Sequence, residues 1–236
     1  MRASGFLLSL SLALATAPAH AEDDPATLDR EDQAVMASRT FLQGHPDLKY
    51  RTEGFLAWDE GRLEEARGHF LKAAEHADKP AQAVLAEMAW KGIGTPVDRA
   101  MGYVWADLAA ERGYRQFVAQ RERYWAQLDE AGRARALEAG TAVLAHYGDA
   151  AAKPRLARQM RRAQQGMILT VRRKDITVRV PGRGGLPTEI RGHDFYADKF
   201  WQPEQYFAWV DAVWTDPPAE HVEVGPVQDV DAPPAR

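Results

Sequence analysis

Apolar residues recur at helical spacing through the middle of this chain. Between Ala81 and Trp90 they are Val84, Leu85, Met88 and Ala89, at i, i+1, i+4 and i+5 of a single helical stripe. From Val97 to Arg112 a second stripe holds Met101, Val104, Trp105, Leu108 and Ala109. An entry helix is predicted over Thr27–Leu42, with Leu28, Val35, Met36 and Phe41 on it, and another over Arg115–Leu128, carrying Phe117, Tyr124 and Leu128. Asp129 is placed to cap a helix over Glu130–Tyr147 that Gly148 ends, and Pro154 opens a further one to about Gln165, stopped by Gly166. After Gly166 the pattern changes. Met167–Val171 and Ile176–Val180 are β-branched runs joined by Arg172–Asp175, which predicts a hairpin, and Thr188–Arg191 adds a short third strand. Pro203 then starts a helix whose Tyr206, Phe207, Val210, Val213 and Trp214 form one apolar face. From Asp216 the chain is Pro-rich and acidic, the composition of a disordered tail.

The two central stripes belong to a repeat. Gly54, Trp58, Gly61, Glu65-Ala66, Phe70 and Ala73-Ala74 correspond to Ala86, Trp90, Gly92-Ile93-Gly94, Arg99-Ala100, Trp105 and Ala109-Ala110. Ala86 follows Gly54 by 32 residues, Ala100 follows Ala66 by 34 and Ala109 follows Ala73 by 36, the period of a helix-turn-helix unit. Small residues at Gly54, Ala66, Ala73, Ala86, Ala100 and Ala109 let paired helices approach, while Trp58, Phe70, Trp90 and Trp105 fill the space between pairs. Gly61 and Gly92 stand where a helix ends in a left-handed residue.

The run Leu85-Ala86-Glu87-Met88-Ala89-Trp90-Lys91-Gly92-Ile93-Gly94-Thr95-Pro96-Val97-Asp98-Arg99-Ala100, closed by Trp105 and Leu108-Ala109-Ala110-Glu111-Arg112-Gly113, resembles a Sel-one-like repeat, a tetratricopeptide-type helical repeat. The likeness is clear over 81–113 and partial over 47–78. It implies a mainly α fold: a tetratricopeptide-like α-α repeat solenoid, here with a small C-terminal β-hairpin and helix. It also implies an adaptor or scaffold that binds a protein or peptide. Two units are fewer than a solenoid usually needs, so the flanking helices are expected to cap the stack.

Arg2, the apolar Gly5–Thr16, Pro18 and the small-x-small Ala19-His20-Ala21 form a secretory signal, with cleavage expected near Ala21–Glu22 and a periplasmic or secreted product. At about a dozen residues the apolar run is too short to span a bilayer, so the mature chain is expected to lack a transmembrane anchor. The expected organisation is 1–21 signal, 22–166 repeat domain, 167–215 a small α+β extension and 216–236 tail. With no cysteine, packing alone must hold an exported chain together. Without Arg2, 34 Asp+Glu stand against 29 of the 30 Lys+Arg, a net charge of about −5 that does not suit nucleic acid.

Beyond the signal the one serine is Ser38, placed in a helix without a glycine elbow, so serine and cysteine nucleophiles are excluded and no enzyme, cofactor or metal site is expected. His193-Asp194 with Glu189 and Asp198 is an alternative metal or acid-base cluster, but it lacks paired-histidine spacing. The expected groove is lined by the first helix of each unit, giving Lys49, Arg51, Glu53, Glu87 and Lys91 as partner-binding candidates. Residues 153–183 hold ten Lys and Arg against Asp175, with Arg158 and Arg162 as candidates for an anionic cell-envelope polymer such as peptidoglycan. Eight aromatics fall in 195–214; most read as a small core on the hairpin, with Trp201 and Trp209 as candidate stacking surfaces.

Overall fold

The structure is a computed structural model and describes residues 30–171, 177–181 and 187–215. The signal and its cleavage point, the Arg172–Asp175 connection and the acidic tail lie outside the described residues.

The entry segment is two helices, α1 (Arg30–Met36) and α2 (Arg39–Gly44). Ser38 separates them: its backbone is extended and its hydroxyl accepts from Phe41 N, so it starts α2 instead of lying inside one helix. The two repeat units follow as α3 (Pro46–Asp59) with α4 (Leu63–Ala74), and α5 (Lys79–Lys91) with α6 (Arg99–Ala109). Asp78 and Asp98 cap α5 and α6 through Ala81 N (2.7 Å) and Met101 N (3.0 Å). Gly92 ends α5 in the left-handed region at φ 77°, as its place in the repeat requires. Within each pair the helices touch through their small residues. A Cβ on Gly54 would stand 2.6 Å from the Phe70 ring, and one on Gly102 would stand 3.0 Å from Trp90 N.

The core of the stack joins Phe70, Leu85, Met88, Trp90, Val104, Trp105 and Tyr124, with Trp58 packed against it. Trp90 and Tyr124 stack with ring centres 4.0 Å apart. After a 3₁₀ turn at Ala110–Arg112 come α7 (Arg115–Gln127) and α8 (Glu130–Tyr147), both packed on α6. They cover the open end of the second unit, and Asp129 caps α8 through Gly132 N at 2.7 Å.

α9 (Asp149–Val171) departs from the sequence reading: it begins five residues before Pro154 and continues past Gly166 through Met167–Val171, the expected first strand. Pro154 removes one donor early in the helix and sits on its exposed side, where the loss is tolerated. The hairpin is therefore shifted. It pairs β1 (Thr177–Pro181) antiparallel with β2 (Pro187–Arg191), the second of these being the expected third strand. Val178 faces Ile190, with Val180 and Ile190 buried, while Arg179 and Glu189 pair on the outer face.

Three helices close the chain: α10 (Gly192–Phe195), α11 (Asp198–Trp201) and α12 (Pro203–Thr215). The aromatic segment forms a second core on the hairpin with Phe195, Phe200, Trp201 and Tyr206. That core also takes Val35, Phe41 and Leu48 from the start of the chain and Leu156 and Met160 from α9. α9 also packs against α2, α3, α11 and α12, and so joins the start of the chain to the helices that close it.

Candidate functional site

The starts of α3 and α5 are buried on one side of the repeats, where α12 lies across them. Its predicted apolar face, Tyr206, Phe207, Val210, Val213 and Trp214, lines a cavity of about 100 Å³. The opposite wall comes from Leu48 and Arg51 of α3, Pro80 of α5, and Tyr114 just before α7. Trp214 also packs against Phe117 of α7, with ring centres 5.5 Å apart, in a small cluster that includes Ala83 of α5.

Polar groups hold this helix at two places. Near its start, Tyr206 donates to Asp47 Oδ2 at 2.6 Å in a buried contact. Burial pushes both pKa values upward; Asp47 pushes Tyr206 further up, whereas the hydrogen bond from Tyr206 opposes the rise at Asp47. The other oxygen, Asp47 Oδ1, has no hydrogen-bond partner among the described residues. Near its end, Asp211 accepts from Arg112 Nη1 at 3.1 Å and from the Tyr114 hydroxyl.

Arg112 is the hub beneath. Its guanidinium is bidentate to Asp149 (2.7 and 3.0 Å) and also donates to Ala77 O at 3.0 Å. Lys79, whose side chain is fully buried, donates to Glu111 at 2.7 Å and Leu108 O at 3.0 Å and stands 3.0 Å from Asp149. Burial alone would raise the Asp149 pKa, but Arg112, Lys79 and Lys153 together draw it well below the ordinary carboxylate value. Arg112 belongs to the closing Glu-Arg-Gly of the repeat resemblance, and Lys79 follows the cap of α5. Neither was legible as a buried ion, because an isolated Lys or Arg in sequence reads as solvated surface. A Lys-Pro immediately after a capping Asp, at a unit boundary, was the available signal.

Two buried titrating groups flank this side. Burial lifts Asp78 from 3.8 to about 6, with Arg51 at 2.9 Å opposing the shift. Burial lowers His45 from 6.5 to about 4; its ring nitrogens lie 2.8 Å from Phe41 O and 2.7 Å from Phe200 O, contacts that work the other way. The signs oppose. The raised Asp78 pKa gives stability that is present below pH 3.8 and lost as pH rises through about 6. The lowered His45 pKa gives stability that is present above 6.5 and lost as pH falls through about 4. Asp78→Asn keeps the cap on α5 and removes one of the two. Its urea-unfolding free energy is expected to fall more steeply than the wild type's between about pH 6 and 4, by up to about 1.4 kcal/mol per pH unit. Parallel curves would show that Asp78 titrates normally.

The candidates from sequence are distributed as follows. Arg51 is committed to Asp78, and Lys49 pairs loosely with Glu53 at 3.9 Å. Glu87 and Lys91 pair with each other at 2.6 Å on the exposed side of α5. Arg158 and Arg162 are exposed on α9, but Arg155 turns inward to Glu75 O and His146 O, and Arg161 pairs with Glu204 at 3.2 Å. The basic stretch is therefore partly internal, and its residues 172–174 and 183 lie outside the described chain. Trp201 is corrected: it is 3 % exposed and donates to Phe195 O at 2.7 Å, so it is core and offers no stacking surface. Trp209 is half-buried, edge-on to Phe200 at 5.4 Å. Asp194 is taken by Arg191 (2.9 Å) and His193 (3.2 Å), and Glu189 by Arg179. Among the described residues no group of three His, Asp or Glu is arranged to hold a metal ion, and no helix is long and apolar enough to cross a membrane.

No family model matches the chain, and no curated protein matches it. Among solved structures it is similar to the crystal structure of a protective antigen present in uropathogenic Escherichia coli strains displaying an SLR fold. The identity is 21%, the TM-score 0.41, and the match covers 45% of this chain and 24% of that one.

Proposed function

We propose that this is an exported, non-catalytic helical-repeat protein that binds a segment of another protein through the row of first helices. One observation carries the reading: the starts of α3, α5 and α7 together form a face with apolar patches and a buried cation, and a helix lies on that face. A surface that accommodates one amphipathic helix has the shape and chemistry for another. The stripe continues by helical period beyond α12, through Phe55 of α3, which is 44% exposed, and through Glu87 and Lys91 of α5. Export rests on the signal in residues 1–21. Binding to an anionic envelope polymer has weaker support, since of the described basic residues in 153–183 only Arg158 and Arg162 stand exposed without an acidic or carbonyl contact described above.

The test is site-specific photo-crosslinking in the native envelope. A benzophenone side chain at Phe55 or Lys91 is expected to trap one protein partner, and the same group at Leu137, exposed on α8, is expected to trap none. Equal capture from all three positions, or none from any, would contradict the reading.

A further inference from the structure

The geometry points to the second half of α12, Phe207–Thr215, as an internal stand-in for the partner: this face binds an amphipathic helix with apolar residues at the spacing of Phe207, Val210, Val213 and Trp214 and a carboxylate in the place of Asp211. The inference rests on the binding role proposed above and states what the ligand looks like.

Three features of α12 set it apart from the helices beneath it. Its fully buried residues are at one end only. Pro203 and Tyr206 are buried, whereas Phe207, Trp209, Val210, Val213 and Trp214 are all only half-buried. The packing under that half is incomplete. The cavity of about 100 Å³ lies between its apolar face and the starts of α3 and α5, so those side chains lack part of the dispersion contact a closed core would give. The polar attachment is also concentrated. Asp211, whose side chain is 37% exposed, is the acidic contact of this half with Arg112 and Tyr114. Arg112 keeps its bidentate Asp149 partner and Ala77 O when that contact opens, so the cation is not stranded.

The chemistry that recognises the ligand follows from what α12 leaves behind. Leu48, Pro80, Ala83 and Phe117 provide an apolar floor, and Arg112 with Tyr114 provides two donors at one end. A helix with a single acid flanked by aromatic or branched residues satisfies both. A basic helix does not, because it would bury a further cation beside Arg112 and Lys79, and a wholly polar one leaves the apolar floor unmatched.

The experiment uses the full chain and a fluorescein-labelled peptide of residues 203–215 as the probe, followed by anisotropy. In the wild type the attached helix competes at high effective concentration, so the peptide binds weakly. The full-length double variant Val213→Ser/Trp214→Ala loosens the attached copy, and the peptide is expected to bind it at least about tenfold more tightly than the wild type. The same peptide carrying Asp211→Lys is expected to lose at least about tenfold of that affinity. If the double variant loses helicity by circular dichroism, Val210→Ser alone is used in the same titration. A folded variant that binds the peptide no better than the wild type overturns the inference, as does equal binding of the Lys peptide. Such a failure alongside position-specific crosslinking from Phe55 would leave the binding role standing and remove only the stand-in. No crosslinking from any position would remove the binding role itself.

Discussion

Arg112→Ala is expected to lower the unfolding free energy by about 3–5 kcal/mol, the range for stripping one partner from a buried charge network. The guanidinium side chain is 8% exposed and ties together Asp149, Asp211, Tyr114 and Ala77 O. Without it Asp149 keeps Lys79 at 3.0 Å and Lys153 at 3.3 Å, but it loses its bidentate partner. Asp211 is left with the Tyr114 hydroxyl and with Lys153 at 3.9 Å, so the distal attachment of α12 weakens. Arg112→Lys retains a charge but not the fork, so an intermediate loss is expected. Urea denaturation at pH 7 distinguishes these cases, and an alanine variant within about 1 kcal/mol of the wild type would mean that solvent already screens the network.

Phe70→Ala is expected to cost a similar amount, about 3–5 kcal/mol, for a different reason. Its ring is fully buried and fills the gap between α3 and α4 directly over Gly54. The two positions are coupled: the Phe70 ring atoms stand 2.6–2.9 Å from where a Gly54 Cβ would be. Gly54→Ala alone should therefore destabilise by about 1–3 kcal/mol through overpacking. In the Phe70→Ala background the same methyl enters a vacated space and should be neutral or stabilising. A double-mutant cycle measures the sign; additive losses would contradict the close approach of this helix pair.

The small and large residues of that contact were readable as repeat positions, but Phe70 reads from sequence as filling the space between pairs, whereas its ring sits inside the first pair against Gly54. The caps at Asp129 and Gly92 and the apolar face of α12 were readable too, since all depend on short-range chemistry. Three local signals misled. Ser38 reads as an ordinary helical residue until its hydroxyl is seen capping Phe41 N. Pro154 and Gly166 read as boundaries, yet α9 runs through both while Leu156 and Met160 pack into the second core, so tertiary burial outweighs a cost of about 1 kcal/mol for the glycine. The β-branched Met167–Val171 then reads as a strand for the same reason, which displaced the hairpin by one segment. The site itself was the least legible part. Lys79, Arg112, Asp149 and Asp211 are 30 or more residues apart or separated by whole helices, and only the path of α9 and α12 back across the repeats brings them together.

Hydrogen exchange on the intact chain asks most directly whether the binding face is covered by a helix that can yield. Amides of 207–215 are predicted to be protected relative to an unfolded chain, yet to exchange at least about tenfold faster than those of 79–109, through opening that leaves the stack closed. Protection equal to that of α5 and α6 would mean that α12 is a fixed part of the core, and no protection at all would mean that it does not lie on the face; either result contradicts the proposal.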